Sequence, residues 1–170
     1  MFKRIDNKLA EELLEQAKQS PRKRAVLVLH DPAKDNIQIM LNAMLEKTYF
    51  QPHKHEDPDK FETFSILLGR AIIVGFNECG DLEECLDLDK RGSNKAIVIP
   101  SRTYHSIIIP ESPGYAVLFE NKEGFFDKET DKRFAPWAPS ESQKEEAEEY
   151  LRQLEVKVDI YYNKKSCSLL

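Results

Sequence analysis

Pro52-His53-Lys54-His55-Glu56-Asp57-Pro58-Asp59-Lys60-Phe61-Glu62-Thr63-Phe64-Ser65-Ile66-Leu67-Leu68-Gly69 is the stretch that decides the fold. Side chains of a strand alternate between its faces, so His53 and His55 project the same way about 6.6 Å apart, a span that suits two ligands of one ion. The polar turn Glu56 to Lys60 leads into a second run in which Glu62, Phe64, Ile66 and Leu68 share a face. A carboxylate at the head of an apolar face requires a partner. Further on, Lys95 to Ile99 runs into a turn at Pro100 to Thr103, and His105 opens the next apolar strand. A small β-barrel that returned His105 to the first pair would gather His53, His55, Glu62 and His105 around one divalent metal ion.

The order of these residues resembles the cupin superfamily. His53-x-His55, Glu62 and Gly69 are similar to its first motif, and Gly92, Pro100 and His105 to its second. The spacing from His55 to Glu62 is longer than usual there. Arg102 stands where glycine is common, and Ile109 where asparagine often closes the second motif. The likeness extends to Ile5-Asp6-Asn7-Lys8-Leu9, Arg22-x-Arg24, Tyr49-x-x-Pro52-His53-x-His55 and Asp131-Lys132-x-Phe134-Ala135-Pro136-Trp137-Ala138-Pro139, which look like the WbuC-type cupin-fold metalloproteins. That resemblance covers residues 1 to 139. It implies a metal site in a cupin barrel and an association with bacterial surface polysaccharide (O-antigen) biosynthesis, and it assigns no reaction.

Composition fits an ordinary globular protein: 170 residues, 41% hydrophobic and 32% charged, suit one domain with a sizeable core. The net charge of -5 argues against a general nucleic-acid binder. No run approaches the roughly 20 apolar residues of a membrane span, and no signal-peptide pattern is present, so the expected location is cytoplasmic. Cys79, Cys85 and Cys167 lack zinc-type spacing and read as free thiols of a reducing compartment. There is no glycine-rich phosphate loop and no repeat.

The expected fold is mainly β: a cupin-type antiparallel β-barrel or jelly roll with an N-terminal and a C-terminal helix. Asp6 or Asn7 caps a first helix striped by Leu9, Leu13, Leu14 and Ala17 and ended by Ser20-Pro21. Strands follow at 25–29, 37–45, 48–53, 61–68, 71–77, 82–88, 95–99, 105–109 and 115–120, with a helical reading also open for 37–45 and a hairpin turn at Glu78 to Asp81. Residues 1–139 form a single barrel domain with its N-terminal helix, and 140–170 a C-terminal helix and short tail packed on the same domain. The helix is expected over Glu141 to Glu155 behind Ser140. The alternation of Val156, Val158 and Ile160 then suggests a short strand added to a sheet edge, the chain's own or that of a second copy in a homodimer. Cys167-Ser168-Leu169-Leu170 matches a prenylation box only superficially.

Three imidazoles and a carboxylate make a nitrogen and oxygen site suited to Fe, Mn, Ni, Co or Zn, with a formal residue of +1 that attracts an anionic or hydroxyl-rich ligand. A sugar or sugar phosphate fits that demand. His30 and Glu120 are the candidates for proton transfer. Arg22 and Arg24, which flank the first strand, are candidates to hold a phosphate or carboxylate. Tyr49 and Phe64, on strands that adjoin the ligands, are candidates to line the pocket, and Trp137 to plug one end of the barrel. Three functions compete: an enzyme that isomerises or epimerises a sugar or nucleotide sugar, a non-catalytic metal-dependent carbohydrate-binding module, and a metal-dependent dioxygenase.

Overall fold

A computed structural model describes residues 2–167, so Ser168, Leu169 and Leu170 of the terminal box lie outside the described residues. In chain order it holds α1 (Asn7–Gln19), β1 (Arg24–Val28), β2 (Ile37–Leu45), β3 (His53–Lys54), β4 (Glu62–Phe76), β5 (Leu82–Asp89), β6 (Ala96–Ile99), β7 (Tyr104–Ile108), β8 (Tyr115–Glu123), β9 (Arg133–Phe134) and α2 (Lys144–Cys167). Every pairing is antiparallel. One half of the barrel runs β1-β2-β8-β4-β6 and the other β5-β4-β7-β3-β9.

Strand β4 belongs to both halves. Residues Glu62 to Gly69 pair with β8, and Arg70 to Phe76 with β5. The sequence suggested two strands with a break at Gly69-Arg70, and the structure makes them one. Gly69 takes φ +71, and a Cβ there would stand 2.0 Å from the Tyr115 carbonyl oxygen. Only glycine reaches that conformation without steric cost, so the strand turns the corner between sheets without ending.

Three clusters explain why so many strand residues are apolar on both faces. Met44, Phe64, Ile66, Ile73, Ile107 and Leu118 fill the barrel interior. Leu41, Ala43 and Val117 face outward and are covered by Ala10, Leu13, Leu14 and Ala17 of α1, which Asp6 caps by accepting from the Leu9 N–H at 3.0 Å. Ile72, Val74, Phe76 and Ile108 face outward from the other half under Leu151, Leu154 and Val158 of α2. Trp137 joins this outer layer, with its ring centroid 5.1 Å from Phe76 and 5.6 Å from Tyr104. A strand with both faces buried reads as a near-continuous hydrophobic run.

Two expectations fail here for physical reasons. The proposed tail strand is helix through Cys167. Leu151, Leu154 and Val158, three and four residues apart, form the buried stripe, whereas Val156 and Ile160, the residues that made the alternation, are exposed. The strand expected at 48–53 shrinks to His53–Lys54, because side chains take its carbonyls: Arg24 donates to Tyr49 O and Ser106 Oγ to Phe50 O. Among the described residues no helix is long and apolar enough to cross a membrane.

Candidate metal centre and adjoining cavity

His53 and His105 are directly paired across β3 and β7, which places their ring centroids 4.5 Å apart. His55 follows on the same face as His53, 5.1 Å away ring to ring, and Glu62 enters from the start of β4. All four side chains are buried, and one ligand atom from each lies within 4.8 Å of every other.

The hydrogen bonds fix the tautomers. Nδ1 of His53 meets Gln51 O at 3.0 Å, Nδ1 of His105 meets Thr103 O at 2.9 Å, and Nδ1 of His55 meets Asp131 O. A carbonyl only accepts, so each Nδ1 carries a hydrogen, and Nε2 is the atom each ring has left to offer the cluster. Nε2 of His55, Nε2 of His105 and Oε1 of Glu62 are buried with no hydrogen-bond partner. Burial, with Lys132 next, pushes the His53 imidazole well below its ordinary value, which keeps it neutral. Burial would raise the Glu62 carboxyl, yet His105 and His55 hold it well below the usual range, so it is ionised. Three inward imidazole nitrogens and one buried anion constitute a cation site, and the residues fit a divalent metal.

Beside the cluster lies a cavity of about 330 Å³, and an adjoining one of about 440 Å³ shares Phe50, Phe126 and Lys132 with it. Phe50 links cavity to cluster: its ring is 5.3 Å from His53, and Lys132 Nζ lies 4.6 Å over it. Glu120 lines the cavity and accepts from Asn42 Nδ2 at 2.7 Å, with Lys122 Nζ at 3.9 Å. Burial, then repulsion from Glu62, raises its carboxyl to about 7 against the pull of Lys122. His30 also lines the cavity, and its Nδ1 lies 3.0 Å from the Ile39 nitrogen and 3.1 Å from the Ile39 carbonyl oxygen.

The other expected site residues are placed differently. Arg22 and Arg24 sit at the cavity mouth, and both are engaged by Glu141, Arg22 at 2.6 Å. Tyr49 packs toward α2, with its hydroxyl donating to Pro139 O at 2.7 Å and its ring 6.0 Å from Tyr150. Phe64 is part of the barrel core, 1% exposed. Sequence reasoning passed over Asp131 and Lys132. Asp131 accepts from Lys60 at 3.0 Å, from Gln38 at 2.9 Å and from Lys122, while its carbonyl orients His55. Only their place in a family-like stretch signalled them; no periodicity did.

Fold and cluster together define the class: a cupin-fold protein, or double-stranded β-helix, with a three-histidine, one-glutamate site able to hold a metal. In sequence, a domain family of unknown function, DUF6016, matches residues 5–88, a little under half of the chain. No curated protein matches it significantly. Similar solved structures include an uncharacterized conserved protein with a double-stranded β-helix domain from Klebsiella pneumoniae (TM-score 0.55, 13% identity, 79% of this chain and 98% of that one). An L-ribose isomerase from Cellulomonas parahominis matches with TM-score 0.53 and 15% identity over 67% of this chain and 70% of its own. A chain from the crystal structures of the DMSP lyases RdDddP and RnDddQII matches at TM-score 0.50 and 15% identity over 66% of this chain, which spans about half (52%) of that chain's length. At these identities the likeness is one of fold.

Proposed function

We propose that this chain is a mononuclear, divalent-metal-dependent cupin enzyme that isomerises or epimerises a sugar or nucleotide sugar. The observation that carries the reading is the convergence of buried imidazole nitrogens without hydrogen-bond partners on an ionised, buried Glu62, within 4.8 Å. A transition metal bound there supplies Lewis acidity toward a carbonyl or hydroxyl. The chain's own residues do the rest. The three Nδ1–H bonds to backbone carbonyls hold the imidazoles in one tautomer and orientation. Glu120, with a carboxyl raised to about 7, is poised to take or return a proton near neutral pH, and Asn42 fixes one of its oxygens. Phe50, Met40 and Met44 give the cavity apolar walls that limit water.

The substrate class rests on the +1 left by a divalent ion and one carboxylate, and on the resemblance to proteins associated with surface polysaccharide. The test is elemental analysis of the purified protein beside a His53→Ala/His105→Ala variant, followed by assay on nucleotide sugars. About one transition metal per chain, lost together with turnover in the variant, supports the reading. Turnover that survives loss of the metal refutes it. A ligand that binds unchanged makes the chain a carbohydrate-binding module instead.

A further inference from the structure

Lys132 is unusual in this molecule. Lys60, Lys122 and Lys54 are buried too, and each is matched to a carboxylate. Lys132 lines both cavities, and among the described residues its ammonium has no hydrogen-bond acceptor and no ion-pair partner, only the face of Phe50 at 4.6 Å. Burial lowers its pKa, with Lys122 adding to the effect against Glu120 and Glu62. A half-buried cation left unmatched in a cavity is costly unless something else supplies the negative charge.

A second polar group lines the same space. Nδ1 of His30 lies 3.0 Å from the Ile39 nitrogen and 3.1 Å from the Ile39 carbonyl oxygen, which leaves the ring's other nitrogen, Nε2, to meet a ligand. That Nε2 is buried without a partner. The neighbouring cations are already used: Glu141 takes Arg22 and Arg24, and Asp131 takes Lys122.

We propose that the cavity beside the histidine cluster is a subsite for an anionic group, carboxylate or phosphate, with Lys132 as its counter-ion and His30 Nε2 as a second contact in the tautomer that places the ring hydrogen there. The ligand is therefore an acidic sugar, a uronate or a sugar phosphate, rather than a neutral one. This deepens the metal-dependent reading and rests on it for the reacting end of the ligand, but the anion pocket is testable by itself.

The experiment is calorimetric titration of the full chain, metal-loaded and metal-free, with D-glucose, D-glucuronate and D-glucose 6-phosphate, using wild type, Lys132→Met and Lys132→Arg. Methionine keeps the aliphatic stem against Phe50, and arginine keeps the charge. At least one of the two anions is expected to bind wild type tenfold or more tightly than glucose. Lys132→Met should lose about tenfold or more of that affinity with metal content unchanged, and Lys132→Arg should recover most of it. The preferred anion identifies the group as carboxylate or phosphate. Anion binding that depends on Lys132 in a chain that takes up no metal when each candidate ion is offered would uphold the pocket and sink the metal reading. Equal affinity for glucose and both anions, or anion affinity unchanged in Lys132→Met, overturns the proposal whatever the metal content.

Discussion

His105 Nε2 stands 2.5 Å from Glu62 Oε1, while Nδ1 of the same ring commits its hydrogen to Thr103 O. Two lone pairs at that distance repel, so the contact requires a shared cation, a metal ion or a second proton on the ring. The same oxygen is 3.4 Å from His55 Nε2, so one atom of Glu62 serves as the anchor of the cluster.

Glu62→Gln is therefore expected to cost metal affinity far more than fold. A divalent ion at a hundred times its dissociation constant should stabilise wild type by about 2.7 kcal/mol. Thermal melts with and without metal should show that increment in wild type and little of it in the variant. An equal metal-induced shift in both proteins would contradict this role for Glu62.

Asp131 ties Lys60, Lys122 and Gln38 together beneath the loop whose carbonyl orients His55. Asp131→Ala leaves two buried ammonium groups without their carboxylate, a change that typically costs about 3–5 kcal/mol. Urea denaturation measures it, and a loss under 1 kcal/mol would mean that the lysines find other partners.

The Glu120 carboxyl, raised to about 7 from an ordinary 4.5, links stability to pH. Between those two values the folded state holds a proton that the unfolded state has released, so stability falls as pH rises across the window, and the cost is complete above it. In metal-free protein, Glu120→Gln should gain on wild type by on the order of 3 kcal/mol between pH 4.5 and pH 8. Parallel stability curves for the two proteins would show that Glu120 has no raised pKa.

Leu154 is 3% exposed where α2 seals the outer face of the second half-barrel. Leu154→Ala is expected to destabilise by about 2–5 kcal/mol in denaturant melts, whereas Val156→Ala, on the exposed side, should change stability by about 0.5 kcal/mol or less. Comparable losses at both positions would argue for the extended tail that the sequence suggested.

The two histidine strands and Glu62 were legible because alternation in a strand assigns faces without knowledge of partners. What alternation cannot convey is which strands become neighbours, and so the direct pairing of His53 with His105 was not foreseeable. Asp131 and Lys132, quoted only as part of a family-like stretch, received no site role because they lie among turns with no period to read, and they acquire meaning only when that stretch folds against the barrel. Residues 156–160 misled because over five positions a β-branched alternation and a helical stripe overlap. Val158 belongs to both patterns, and only the packing of α2 decides between them.

The passage of β4 through both halves of the barrel at Gly69 also bears on how this chain tolerates insertions and deletions. The exposed turn between Asp89 and Ala96 can lengthen at modest entropic cost, since loop closure grows slowly with length. A single residue inserted beside Gly69 has no such latitude. It would reverse the facing of Ile72, Ile73 and Val74 relative to Glu62, Phe64 and Ile66, exchanging barrel interior for α2 surface in one half while the other stayed in place. Length variation in natural or engineered forms of this chain should accordingly gather in the turns and spare this corner.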